Sequence, residues 1–271
     1  MIDRSKLRTR IRMKANLVFE SAFHIGSGKE GDMATDMGVL RDQSSGEPIL
    51  PGSSLKGKFR ATAEQLAGHL NLSACLLDMS LSGVECVTDE NYRRKCHPEY
   101  QKLSNENKKL QWVDAQICDV CRLFGSPMHA SRIFFSDGQL KHWSGNPELR
   151  DGVCLDRDSE TARPNMKYDF EVIPNGTVFG LQLDMENPEE QELALVGAVL
   201  AEWEQGFRLG GKTSRGLGLA RLESLQVERV DLSDREQLGN YLLHKKMTPS
   251  PELFTEALEM VLETQGGQAD A

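Results

Sequence analysis

The chain opens on a strict alternation. Arg4, Lys6, Arg8, Arg10, Arg12 and Lys14 fill the even positions, while Leu7, Ile11 and Met13 stand at odd ones. A period of two belongs to a β-strand, whose successive side chains face opposite sides. The pattern predicts one buried face and a row of cations on the other. Such a row either guards an edge strand or binds anions; six cations with only Asp3 beside them favour an anion-binding face. The period then changes. Leu55, Phe59, Thr62 and Leu66 recur at helical spacing after Pro51-Gly52-Ser53-Ser54, with a serine as the expected N-cap. Leu193, Val196, Val199, Leu200 and Trp203 mark a second helix, with Asn187-Pro188 at its start. Strands are predicted at Arg132–Ser136, at Tyr168–Val172, at Val178–Leu183 after the Asn175-Gly176 turn, and over Leu217–Val230. Ser250–Glu263 reads as an amphipathic acidic helix and Gln265–Ala271 as a disordered tail.

This order, strand, helix, strands, helix, strand, predicts an α+β chain with a ferredoxin-like (RRM-like) core whose sheet leaves one face open. At 271 residues the length suits one large domain. We assign 1–248 to it, with insertions at about 20–50, at 70–130 and, as a long hairpin, at 150–172. Residues 249–271 form the C-terminal helix and tail.

A net charge of −9 argues against a polyanion partner only if the charge is uniform. It is not: acid gathers in Glu189–Glu204 and Glu252–Glu263, and the bases lie elsewhere. Aromatics are 6% of the chain, too few for base stacking to be the main binding device. Met1–Lys14 has no apolar core of a signal peptide, and the apolar run Leu193–Ala201 is too short to cross a bilayer. A cytoplasmic protein without membrane partners is expected.

Three features carry chemistry. Cys118-Asp119-Val120-Cys121 is a CxxC knuckle, and Cys86 and Cys96 lie upstream. Four thiolates would close a tetrahedral structural zinc site and stabilise a subdomain poor in apolar residues. His97 and Cys75 are substitute ligands, and free thiols are the competing reading. The second feature is the loop Gly210-Gly211-Lys212-Thr213-Ser214-Arg215-Gly216-Leu217-Gly218, which follows a helix and precedes a strand. That order excludes a P-loop, yet the loop offers close backbone approach, charge and hydroxyl donors to a sugar-phosphate chain. The third is the start of the first helix, where Ser53, Ser54, Lys56, Lys58 and Arg60 surround a positive dipole end suited to phosphate.

These segments resemble, in the same order, the RAMP superfamily of CRISPR proteins, and in particular the backbone subunits of type III effector complexes. The match runs from about residue 10 to residue 225. It takes in His24-Ile25-Gly26-Ser27-Gly28, Val39-Leu40-Arg41-Asp42, Pro48–Lys58, Cys121-Arg122-Leu123-Phe124-Gly125-Ser126 and the 210–218 loop. Leu155-Asp156-Arg157, Thr161-Ala162-Arg163 and Tyr168–Val172 are similar to its thumb hairpin. The resemblance implies a subunit that stacks with neighbouring subunits along a CRISPR guide RNA, with the thumb kinking the duplex formed with a complementary target RNA. It places the family's cleaving aspartate at Asp36, three residues before Val39, although Met37-Gly38 departs from the usual small residue and proline. A lone aspartate is a poor general base, so Mg²⁺ or Mn²⁺ is the expected catalytic partner, with zinc as the structural metal. His24, Ser53, Ser54, Lys56, Lys58, Arg60, Gly210, Gly211, Lys212, Thr213, Ser214, Arg215 and Gly216 are the expected RNA contacts. A non-catalytic guide-binding subunit and a metal-independent guide-processing endonuclease using His24 are the alternatives.

Overall fold

A computed structural model describes residues 6–26 and 36–269; Arg4, Ser27, Gly28 and Asp32 lie outside them, as do Ala271 and Asp270. The chain begins with β1 (Thr9–Phe19) and, after a long connection, α1 (Gly52–Ala67). The inserted cysteine-bearing region folds as four short helices: α2 (Met79–Ser82), α3 (Glu90–Gln101), α4 (Glu106–Ala115) and α5 (Asp119–Phe124). Next come β2 (Ile133–Phe135) and β3 (Gln139–His142), then the hairpin strands β4 (Glu148–Leu155) and β5 (Ala162–Val172). The core resumes with β6 (Val178–Glu186), α6 (Glu190–Gln205), β7 (Phe207–Arg208) and β8 (Leu219–Asp231). Finally, α7 (Arg235–His244), β9 (Thr248–Pro249) and α8 (Leu253–Ala269) close the chain. The last helix runs through positions expected to be disordered.

One antiparallel sheet carries the core, in the order β2-β6-β1-β8-β7. In β1 the odd residues Ile11, Met13, Leu17 and Phe19 are fully buried, as alternation predicts. They share a single core with Leu55, Phe59 and Ala63 of α1 and with Val196, Val199 and Trp203 of α6. Phe59 lies 5.0 Å from Trp203, ring to ring, and Trp203 stacks on Phe207 at 3.8 Å. Two helices thus cover one face and leave the other to polar side chains.

That open face corrects the expectation drawn from the N-terminal alternation. Arg10 stands opposite Glu186 and Arg12 opposite Asp184 in the β1–β6 register, and each arginine forms an ion pair with its neighbour. Cross-strand carboxylates therefore neutralise two members of the predicted cationic row. Lys14 stays exposed and lines a polar cleft of about 490 Å³ with Asn16, Lys141, Gln182 and Gln226.

The helix starts also differ from expectation. Pro51 is the N-cap of α1 and makes no side-chain cap; Gly52 N–H donates instead to Asp137 Oδ1 at 2.6 Å. A β-carbon on Gly52 would collide with the Phe135 carbonyl at 2.6 Å, which is why glycine opens this helix. In α6 the cap is Glu189, in a reciprocal box with Glu192. Asn187 turns back and accepts from the N–H groups of Arg8 and Thr9.

Candidate nucleic-acid interface and metal centre

Three segments distant in sequence meet beside β1: the connection before α1, the base of the β4–β5 hairpin and the glycine-rich loop. Asp36 N donates to Asp169 Oδ1 at 2.7 Å, and Asp36 Oδ2 accepts from Asp169 N at 3.0 Å. Met37 then bridges in parallel to Phe170. Two residues on, Val39 N and the Arg41 guanidinium both donate to the Glu171 carboxylate. The connection is thereby fastened to one strand edge, residue by residue, with Asp36 exposed at its tip. Asp42 ends this run by closing a local turn. Its carboxyl is pushed down to about 2, first by the Ser44 hydroxyl and then by the N–H groups of Ser45 and Ser44.

The glycine-rich loop reaches the same strand from the other side. Gly211 N–H donates to His24 O at 2.7 Å, and Gly218 N–H to Ala22 O at 2.8 Å. Gly210 has φ +97°, and a β-carbon there would stand 2.5 Å from His24 O, so only glycine fits. Lys212 Nζ lies 4.4 Å above the Phe170 ring and 4.7 Å above Tyr168. Arg215 donates to the Tyr168 hydroxyl at 2.8 Å. A cleft of about 390 Å³ opens here, with Arg150, Lys212 and Arg215 around Tyr168. Thr213, Ser214 and Gly216 continue the loop, the last two exposed.

His24 is central but enclosed. Only 8% of its surface is exposed, and Nδ1 bonds the Glu171 carbonyl at 2.7 Å. It ties the hairpin to the loop, since its own carbonyl accepts from Gly211 N–H.

The sequence-predicted contacts on α1 do not join this group. The sheet order sets α1's start, bonded next to β3 through Asp137, at the edge opposite β7. Asp137 also takes up one of the N–H groups expected to meet a phosphate. Lys56 donates to Ser131 Oγ at 3.0 Å and is half-buried, with its ammonium pushed down by burial. Arg60 turns inward to Glu64 and Cys121. Ser53 is exposed, and Ser54 and Lys58 are half-buried.

The cysteines converge as a set, with one exchange. The Sγ atoms of Cys75, Cys86, Cys118 and Cys121 all lie within 4.8 Å of one another, and all four residues are buried. Cys96 is not among them: its place on α3 turns its thiol to Tyr92 O, its own helix's carbonyl, at 2.7 Å. His97 packs near Tyr100. The knuckle forms because Cys118 caps α5 and Cys121 sits in its first turn, its N–H donating to Cys118 Sγ at 3.4 Å. Cys118 N–H donates to Cys86 Sγ at the same distance. The thiols compete for protons. The neighbouring Cys118 thiol pushes Cys86 down and Cys121 to about 7, while Cys118 itself is pushed up, first by Cys121. Four thiolates cannot coexist at this range without a cation. Compact spacing, burial and an all-sulfur donor set fit zinc.

Comparison with known proteins agrees with this architecture. The RAMP superfamily model matches residues 16–221, and the chain belongs to that superfamily. Within it, the chain falls in the branch of the type III CRISPR backbone subunits. It is 42% identical to the CRISPR system Cms endoribonuclease Csm3 of Enterococcus italicus, over 82% of this chain and 94% of the relative. Relatives of the same name from Methanothermobacter thermautotrophicus (23% identical; 78% and 82% covered) and Streptococcus thermophilus (24%; 86% and 92%) align along comparable lengths. No helix of the described residues is long and apolar enough to cross a membrane.

Sequence reasoning missed Asp169, Glu171 and Tyr168 as anchors of the site. The alternation of β5 marked them as strand residues but carried no sign of what they hold.

Proposed function

We propose that this chain binds a CRISPR guide RNA as a repeated subunit of a type III effector complex and cuts the paired target RNA at Asp36. The observation that carries this reading is the fastening of Asp36 to Asp169 at the base of the hairpin whose Tyr168 and Phe170 meet Lys212 and Arg215. Relatives named as CRISPR endoribonucleases support it. The ferredoxin-like description of the core belongs to the same reading: β8-β1-β6-β2, with α1 and α6 as crossovers, is the split β-α-β order. So does the thumb. Leu149, Val153, Leu155 and Met166 leave apolar side chains exposed along the β4–β5 hairpin, as a wedge against stacked bases requires.

The chain's own contribution is positional. RNA brings its nucleophile, the 2′-hydroxyl, and a hairpin that splays one nucleotide lets that hydroxyl line up with its phosphate. Alignment of this kind lowers a barrier by up to roughly 7–11 kcal/mol. Lys212 and Arg215 hold the backbone, and Asp36 sets the position of the scissile group. Mg²⁺ is commonly held by one or two carboxylates plus substrate phosphates, and Asp36, oriented by Asp169, offers one; the ion would neutralise charge on the phosphate. Asp36→Ala in the assembled complex, assayed on complementary RNA, is expected to abolish the cuts this subunit governs and leave guide binding intact. Persisting cuts overturn the catalytic assignment and favour a purely structural subunit.

A further inference from the structure

A zinc ion with four thiolates carries a net charge of −2, and the four-cysteine centre is buried. A charge of that size inside a protein is costly unless donors and cations face it. Two backbone N–H groups, of Cys118 and Cys121, point at sulfur. They supply partial charge only. Arg122, next to Cys121 in sequence, is turned away to Asp114 O and Asp119. The cation that arrives comes from another element. Arg60 of α1 directs Nη2 at Cys121 Sγ, at 3.1 Å, while its Nε is held by Glu64 at 2.8 Å. Its side chain is 18% exposed, a depth at which an arginine needs partners. Glu64, one turn on, fixes the guanidinium plane so that Nη2 faces the sulfur.

We propose that Arg60 is the counter-cation of the metal centre, its guanidinium donating to Cys121 Sγ and joining α1 to the inserted helices through the charge of the cluster. The inference rests on the metal reading of the four cysteines and extends it to a residue outside them. It gives Arg60 a role other than RNA contact. It also makes α1, whose exposed Ser53 and half-buried Ser54 and Lys58 precede Arg60, sensitive to whether the centre is loaded. Lysine is a poor substitute, because an ammonium cannot serve Glu64 and the sulfur with the same fixed fork.

The test is zinc release from the full-length chain to a colorimetric chelator, with cobalt substitution as a local probe. Arg60→Gln is expected to release zinc at least tenfold faster than the parent and to shift the thiolate-to-cobalt charge-transfer band. Arg60→Lys should fall between them. Glu64→Gln, which keeps a hydrogen bond to Nε and removes a negative charge, should release no faster than the parent. Thermal melts of the loaded proteins separate loss of charge from loss of fold, since the cobalt band reports the sulfur directly even in a destabilised variant. Unchanged release and an unshifted band in Arg60→Gln overturn the proposal, as does a Glu64→Gln variant that releases zinc as fast as Arg60→Gln. A parent chain holding well under one zinc after reconstitution overturns the metal reading itself, and this inference with it.

Discussion

Asp36 and Asp169 hold each other by a reciprocal pair of hydrogen bonds, each backbone N–H donating to the other's carboxylate, at 2.7 and 3.0 Å. The pairing means that the aspartate proposed to act on RNA is oriented by the hairpin proposed to bend it. Misplacing a catalytic group by about 1 Å can cost on the order of a hundredfold in rate. Asp169→Ala is therefore expected to slow target cleavage by about ten- to a hundredfold with little change in guide binding. Asp169→Asn keeps an oxygen acceptor for Asp36 N–H and should stay near the parent rate. A rate for Asp169→Asn as low as for Asp169→Ala would make the charge of Asp169, not its hydrogen bond, the requirement.

The cysteine centre makes a sharp distinction between two residues that sequence spacing could not separate. Cys75→Ser removes a ligand, and because metal binding energy is folding energy in such inserts, zinc content and the melting temperature should both fall. Cys96→Ser should keep a full complement of zinc. Protons compete with the metal for thiolates, so apparent zinc affinity in the parent should weaken as pH is lowered. Zinc analysis of both variants, and chelator competition across pH, check this.

Periodicity located β1, α1, β6, α6 and β8, because burial of one face writes itself directly into alternation or helical spacing, as in Ile11, Met13, Phe59 and Trp203. The knuckle Cys118–Cys121 was legible because both ligands lie on one short turn. Cys75 was legible only as a substitute ligand, since it reaches the cluster through tertiary folding and its spacing from Cys86 is much like that of Cys96. The cationic row was legible but misleading: alternation shows which residues share a face, not that β6 supplies Glu186 and Asp184 directly opposite. Arg60 shows the same limit of periodicity. Its helical neighbours suggested a surface phosphate site, while its partners Glu64 and Cys121 are a packing result.

The glycine-rich loop owes its form to contacts with β1's end rather than to open backbone. Gly210→Ala places a β-carbon 2.5 Å from His24 O in a left-handed conformation. Gly216, at φ +91°, meets nothing within 4 Å. Gly210→Ala should destabilise by more than about 2 kcal/mol, whereas Gly216→Ala should cost about 1 kcal/mol, the ordinary penalty of a positive φ. Denaturant titrations of the two variants measure the difference.

Beneath α6, Arg132 reaches Glu192 at 2.7 Å and Glu189 at 2.9 Å from the start of β2. Burial pushes the Glu192 carboxyl up, and Arg132 opposes that shift. Arg132→Met leaves an uncompensated buried carboxylate, so a loss of about 3–5 kcal/mol is expected at neutral pH. The sign of the pH dependence follows. A carboxyl raised in the fold binds its proton more tightly there than in the unfolded chain, so stability falls as pH rises from the unfolded value through the folded one. Without Arg132 that rise is larger. The deficit of Arg132→Met should therefore shrink on acidification, which unfolding curves at several pH values will show.

Lys212 and Arg215 test whether the loop grips a polyanion at all. Both are held by the hairpin, Lys212 over the rings of Phe170 and Tyr168 and Arg215 on the Tyr168 hydroxyl, so they stand where the 390 Å³ cleft opens. Each phosphate contact with a single strand contributes about 0.7 to the slope of log affinity against log salt. Lys212→Ala and Arg215→Ala should each weaken RNA binding without regard to sequence and flatten the salt dependence by roughly that amount. Tyr168→Ala removes the platform under both cations and should produce the combined loss, while Tyr168→Phe, which keeps the ring beneath Lys212, should resemble Arg215→Ala alone. Arg12→Ala gives the contrasting case: its guanidinium is spent on Asp184, so the salt slope should remain that of the parent. A slope that drops for Arg12→Ala but not for Lys212→Ala would move the RNA to the open face of the sheet and away from Asp36.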